Sequence, residues 1–151
     1  SKTSGRVERL ACSGRGESMA ILSESLLAFG AYFGSAIILT LLFVLIYVRT
    51  TPHNEIKLMR EGNAAAALGL IGAVIGFVIP LSTVIKVSGQ LPEAVLWGAI
   101  ALVVQIIGSF VARMIFPTLT ADVVAGKYSA AIVLAGMAVS LGVLQAACWT
   151  P

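Results

Sequence analysis

The chain has 151 residues, 58% of them hydrophobic and only 11% charged. A soluble domain has about a quarter of its residues charged, so this composition excludes an ordinary water-soluble domain and leaves room for one membrane domain. The net charge of +3 comes without a basic stripe interleaved with aromatics, so nucleic acid is not an expected partner.

Residues 1–18 are polar and hold Lys2, Arg6, Arg9 and Arg15. They read as a disordered tail or an over-extended start, with the membrane domain at 19–151. Four uncharged apolar runs follow, at 26–48, 64–85, 94–112 and 128–149. Each is close to or above the roughly 20 residues that cross a hydrocarbon core as a helix. The expected fold is an all-α membrane protein with four transmembrane helices, and the lipid bilayer is its first partner. The first run holds fourteen Leu, Ile, Phe or Val residues and should insert alone. The last holds seven, diluted by alanine, glycine and serine, and should face protein. Between the first two runs, Thr51 can cap a short helix, Pro52 suits its first turn and Gly62 can stop it. There Ile56 and Met59 would rest on the interface while Glu55, Lys57, Arg60 and Glu61 face water. Pro80 should kink or end the second span early, with Ser82 and Thr83 helping to satisfy the freed carbonyl.

Shifting the chain by 64 residues places Gly34 on Gly98, Arg49 on Arg113, Gly62 on Gly126 and Gly72 on Gly136. Two copies of one helical hairpin are therefore expected, at about 25–86 and 92–151. An even number of spans per copy makes them parallel repeats. The short connectors hold Arg49, Lys57, Arg60, Arg113 and Lys127, against Lys86 alone on the other side from Met19 onward. By the positive-inside rule the connectors 49–63 and 113–127 are cytoplasmic and the C-terminus external.

Small residues lie on helical stripes: Ala65, Gly69, Gly72 and Gly76 in the second span, Ala131, Ala135, Ala138 and Gly142 in the fourth. With the GxxxG pair Gly30–Gly34, and with Gly98 and Gly136, they mark faces where helix backbones can approach. Gln105 lies mid-span in line with Gly98, Ala101, Gly108 and Ala112. An amide at that depth needs a partner. Either it makes an interhelical hydrogen bond, with Gln145 or Ser140 as candidates, or it lines a path in an oligomer together with Ser109 and Ser140.

Chemistry is scarce. Cys12 and Cys148 fit neither a disulfide framework nor a zinc pattern. His53 beside Glu55 lacks a nucleophile or an oxyanion site nearby. No Asp or Glu sits inside an apolar run, against a proton-driven pump. No enzymatic activity, metal or cofactor is expected.

Several segments together resemble a known family: Thr51-Pro52-His53-Asn54-Glu55 with residues 56–63, Gly76-Phe77-Val78-Ile79-Pro80-Leu81-Ser82, Trp97-Gly98-Ala99-Ile100-Ala101-Leu102-Val103-Val104-Gln105 and the ending Ala146-Ala147-Cys148. This order and spacing is similar to the YjfL-type bacterial inner membrane proteins, domain of unknown function 350, from about Met19 onward. The resemblance implies a bacterial inner (plasma) membrane location and a duplicated unit, and supplies no activity. The expected role is that of a small integral membrane protein that acts by self-assembly, as a homo-oligomer, or with other membrane or envelope proteins. The rival is an oligomeric channel or permeation subunit for an ion or small solute.

Overall fold

The structure, a computed structural model, describes residues 2–52 and 54–149, and for residues 2–13 and 15 the backbone alone. His53 and the Cys12 side chain, both weighed above, lie outside the described residues. The described residues form six helices: α1 (Lys2–Thr50), α2 (Glu55–Arg60), α3 (Ala64–Val87), α4 (Leu91–Ile115), α5 (Pro117–Val124) and α6 (Tyr128–Ala147). Four of these carry stretches long and apolar enough to cross a membrane: Gly16–Thr50, Ala64–Val87, Leu91–Ile115 and Tyr128–Ala147. Helical backbone runs back to Lys2, through the residues expected to be a disordered tail. Extending a formed helix needs no new nucleus, so a polar stretch can continue a stable span.

The chain divides into two units, Ser1–Gly34 and Ser35–Pro151. The first is the N-terminal length of α1, whose described side chains are mostly exposed. Phe29 and Phe33 stack along it, ring centroids 5.5 Å apart.

The second unit is built on α3. Ala65 and Ala66 of α3 cluster with Ala130 and Ala131 of α6. Further along, a Cβ on Gly72 would collide with Ala135, and one on Gly76 with the Ala138 carbonyl. Residue numbers rise together on both helices, so α3 and α6 lie side by side and run in the same direction. The closest approach is at Gly142, where the Gly76 carbonyl oxygen fills the place a Cβ would take. Pro80 explains why that carbonyl is available. Proline has no N–H to offer the carbonyl four residues back, so the Gly76 oxygen is released from the helix ladder and turned toward the Cα hydrogens of Gly142. Such a Cα–H···O contact contributes about 0.5–1 kcal/mol. Of the two outcomes expected at Pro80, a kink or an early end, the structure removes the early end: α3 continues to Val87. Ser82 and Thr83 donate to the Ile79 carbonyl, at 2.8 and 3.2 Å, and not to the freed one.

On the other side of α3, Phe43 of α1 stacks on Phe77, centroids 4.8 Å apart, within a core that includes Leu39, Tyr47, Ala73, Leu81, Ala101 and Leu102. Gly98 of α4 makes room for Leu39 and Leu81, whose methyls lie 2.8 and 3.0 Å from where a Cβ would sit.

The connectors end alike. Gly62 has φ +89 and Gly126 φ +83, the left-handed region that glycine enters without strain. At each, two backbone bonds close the preceding helix: Gly62 to Met59 and Asn63 to Leu58, then Gly126 to Val123 and Lys127 to Asp122. This is the Schellman pattern of crossed bonds at a helix C-terminus. Asn63 also caps α3, its Oδ1 accepting from Ala65 and Ala66, while its Nδ2 donates to the Val123 and Val124 carbonyls of α5 at 3.0 and 3.2 Å.

The α3–α6 contact predicts opposite outcomes at chemically identical sites. Gly142→Ala should force the helices apart and cost about 1–3 kcal/mol, as overpacked cores do. Gly69→Ala and Gly136→Ala place a methyl where no atom lies within 4 Å and should leave stability level or slightly raised. Thermal melting of the three variants in one detergent checks this.

Candidate functional site

Two polar groupings are buried in this unit. The deeper one centres on Gln105, wholly buried among α3, α4 and α6. Its Nε2 donates to the Ala138 carbonyl at 3.0 Å, and that nitrogen lies 2.6 Å from where a Cβ on Gly76 would be. The glycine on α3 thus makes space for the amide of α4 to reach the backbone of α6. Gln145 and Ser140, the partners expected from sequence, are not used: Ser140 donates to Gly136 in its own helix at 2.7 Å. A carbonyl has two lone pairs, so Ala138 can accept a side-chain bond while remaining in its helix. Gln105 Oε1, Ser109 Oγ and Gln145 Oε1 are buried with no hydrogen-bond partner among the described residues.

The shallower grouping was not foreseen. Arg113, in the last turn of α4, draws together Tyr47, Thr51 and Glu55. Its Nη1 donates to Thr51 Oγ1 at 2.6 Å, and Thr51 Oγ1 donates onward to the Tyr47 carbonyl at 2.8 Å. Its Nη2 lies 3.4 Å from Glu55 Oε1, and the guanidinium sits over the Tyr47 ring, 4.6 Å from the centroid. The chain makes this possible by stopping α1 at Thr50, before Pro52, and restarting at Glu55, which folds the connector over the end of α4. Glu55, expected to face water, is only 7% exposed because Arg113 holds it inward. Lys57, Arg60 and Glu61 do face outward. Thr51, expected as a helix cap, spends its hydroxyl on Tyr47 and Arg113; Asn54 stands at the N-cap of α2. Burial pushes the Glu55 carboxyl up from 4.5 to about 7, with the Arg113 charge pulling the other way. Its second oxygen has no partner among the described residues.

The glycines singled out from sequence divide. Gly72, Gly76, Gly98 and Gly142 each sit against a neighbouring helix, whereas a Cβ on Gly30, Gly34, Gly69 or Gly136 would meet no atom within 4 Å. Gly69 and Gly136 do not mediate a close approach within the second unit. Arg113 was visible only as a charge beside a span. Its pairing with Glu55, 58 residues earlier, leaves no local pattern; the one available signal was the i, i+4 spacing of Thr51 and Glu55.

A buried amide linking helices, an ion pair at the end of the spans and four apolar helices define a multi-pass helical membrane protein. Residues 21–149 match the family described as Domain of Unknown Function (DUF350). The UPF0719 inner membrane protein YjfL of Escherichia coli (strain K12) is 36% identical over 127 residues, covering 84% of this chain and 96% of the relative. The protein of the same name from Escherichia coli O157:H7 matches to the same extent. No solved structure matches. The chain belongs to the DUF350 family, and its location is the inner membrane, with several spans.

The raised Glu55 sets a pH dependence. Between 4.5 and about 7 the folded protein holds a proton that the unfolded chain has released, so stability is greatest below that window and falls as pH rises through it. Glu55→Gln should flatten this slope and melt higher than the parent above pH 7. Melting temperature against pH for the two proteins is the measurement.

Proposed function

We propose that the protein is a non-catalytic assembly unit of the inner membrane, working by pairing with further copies of itself or with other envelope components. The observation that carries this reading is α1. Of an 18-residue apolar window in α1 only 17% is buried inside one copy, against 50% for the matching window of α3. It also carries the GxxxG pair Gly30 and Gly34. A small-residue pair on such a helix suits another helix. A permeation path in a single copy finds less support, since Gln105, its best polar candidate, is wholly buried between helices.

We also read the unit as two parallel repeats with cytoplasmic connectors. The parallel course of α3 and α6 and the matching closures at Gly62 and Gly126 support the repeats. The basic residues of the connectors support the orientation.

In mild detergent the parent should have the mass of at least two copies of the 15.7 kDa chain. The double variant Gly30→Leu, Gly34→Leu should fall to the single-copy mass with its melting temperature unchanged. A parent that is strictly monomeric and retains no envelope partner would sink the proposal. For orientation, Gln90→Cys should react with an impermeant thiol reagent on intact cells and Glu61→Cys should not, both in a background lacking Cys12 and Cys148. The reverse pattern overturns the assigned sidedness.

A further inference from the structure

The face between α4 and α6 is not closed. A cavity of about 610 Å³ opens there, lined by Gly108, Ser109 and Ala112 on one side and Val133, Met137 and Leu141 on the other. Tyr47 and Arg113 form its connector end. A second cavity of about 390 Å³ continues it past Leu141 and Leu144 toward Ile100 and Trp149. From Arg113 back to Ile100 is ~20 Å of helix. One leaflet of a bilayer offers about 15 Å of hydrocarbon, half of a core of ~30 Å. The groove is thus long enough for an acyl chain, and its walls are mostly apolar, with Arg113 and Ser109 at one end and Ser140 and Gln145 as the polar side chains further along.

At that end the polar groups are ordered by depth. A guanidinium has five N–H donors, and two of those on Arg113 go to Thr51 and Glu55. Ser109 precedes it by four residues on the same helix face, about 6 Å deeper, and its hydroxyl is buried without a partner among the described residues. The geometry points to a site for one anionic phospholipid, with its phosphate on Arg113, an ester carbonyl on Ser109 and an acyl chain between α4 and α6. Charge complementarity favours this occupant over a second copy of the chain. The connectors carry Arg49, Lys57, Arg60, Arg113 and Lys127 against Glu55, Glu61 and Asp122, and the apolar runs hold no carboxylate that a second copy could set at the depth of Arg113. Guanidinium and phosphate also match as a two-bond pair. The inference does not depend on assembly through α1.

Native mass spectrometry of the full chain in mild detergent tests it, with phosphatidylglycerol and phosphatidylcholine supplied at equal concentration. Phosphatidylglycerol should be retained about tenfold more strongly, the scale of one or two basic contacts. Ala112→Phe, which fills the groove, should erase that preference, and Arg113→Lys should reduce it. Glycerol phosphate, a headgroup without chains, should not displace the lipid. A test that needs no substitution uses Trp149 at the far end of the groove: phosphatidylglycerol with brominated chains should quench tryptophan fluorescence more than brominated phosphatidylcholine at the same mole fraction. Equal retention or equal quenching by the two lipids overturns the site, as does displacement by free glycerol phosphate. An Ala112→Phe protein that changes oligomer mass but keeps its lipid preference also overturns it, and assigns the groove to another copy.

Discussion

The close passage of α3 over α6 is the constraint on which the rest depends. In lipid there is no hydrophobic drive between helices, because the tails outside are as apolar as the side chains, so association rests on packing and on polar contacts. Here both are concentrated at one crossing. Gly76 and Gly142 bring two backbones together, Pro80 frees a carbonyl to face the contact, and Gln105 reaches through the same gap to Ala138. Remove the small residues and the amide has no route to its acceptor. Remove the amide and the Ala138 carbonyl is left with its helix bond alone, and α4 loses its hydrogen bond to α6 at that depth. The three elements α3, α4 and α6 are thereby fixed at mid-membrane, and α1 is added against the opposite face of α3 through Phe43 and Phe77.

Arg113 performs a second fixing at the end of the spans. A charge at that position can snorkel toward water, but here it is held between a threonine, a carboxylate and an aromatic face. Pairing a buried cation with a buried acid stabilises little in net terms, since both lose water. What it gives is placement. The connector carrying Thr51 and Glu55 cannot swing away from α4 without leaving a charge unpaired. Burial of the Glu55 carboxyl outweighs the pull of the Arg113 charge, and this is why its proton is retained to about neutral pH.

Much of the architecture was readable from residue order because lipid allows so few solutions. Uncharged runs of sufficient length become helices, and the start of α6 at Tyr128 and of α3 at Ala64 follows from a glycine just before each. The alanine and glycine stripes also marked the faces that meet, at Gly72, Gly76 and Gly142. What escaped was pairing at a distance. Gln105 needed a partner, but the acceptor is a backbone carbonyl, and backbone carbonyls carry no signature. Glu55 looked solvated because its neighbours Lys57 and Glu61 are. Its burial is decided by Arg113, which arrives from the far end of a different helix. Gly69 and Gly136 have the same local spacing as the glycines at close contacts, and only the position of neighbouring helices separates them.

The tightest contact joins the third helix to the last, and this orders events during synthesis. Gly76 leaves the ribosome 66 residues before Gly142; at about 5–20 residues per second the interval is several seconds. Throughout it α3 resides in the membrane with its small-residue face and freed carbonyl uncovered, able to accept whatever helix is nearest. A chain cut short between α4 and α6 keeps three of its four spans and lacks the closure that holds them together. Such a fragment would present to the membrane's proteases the one surface that the finished protein conceals.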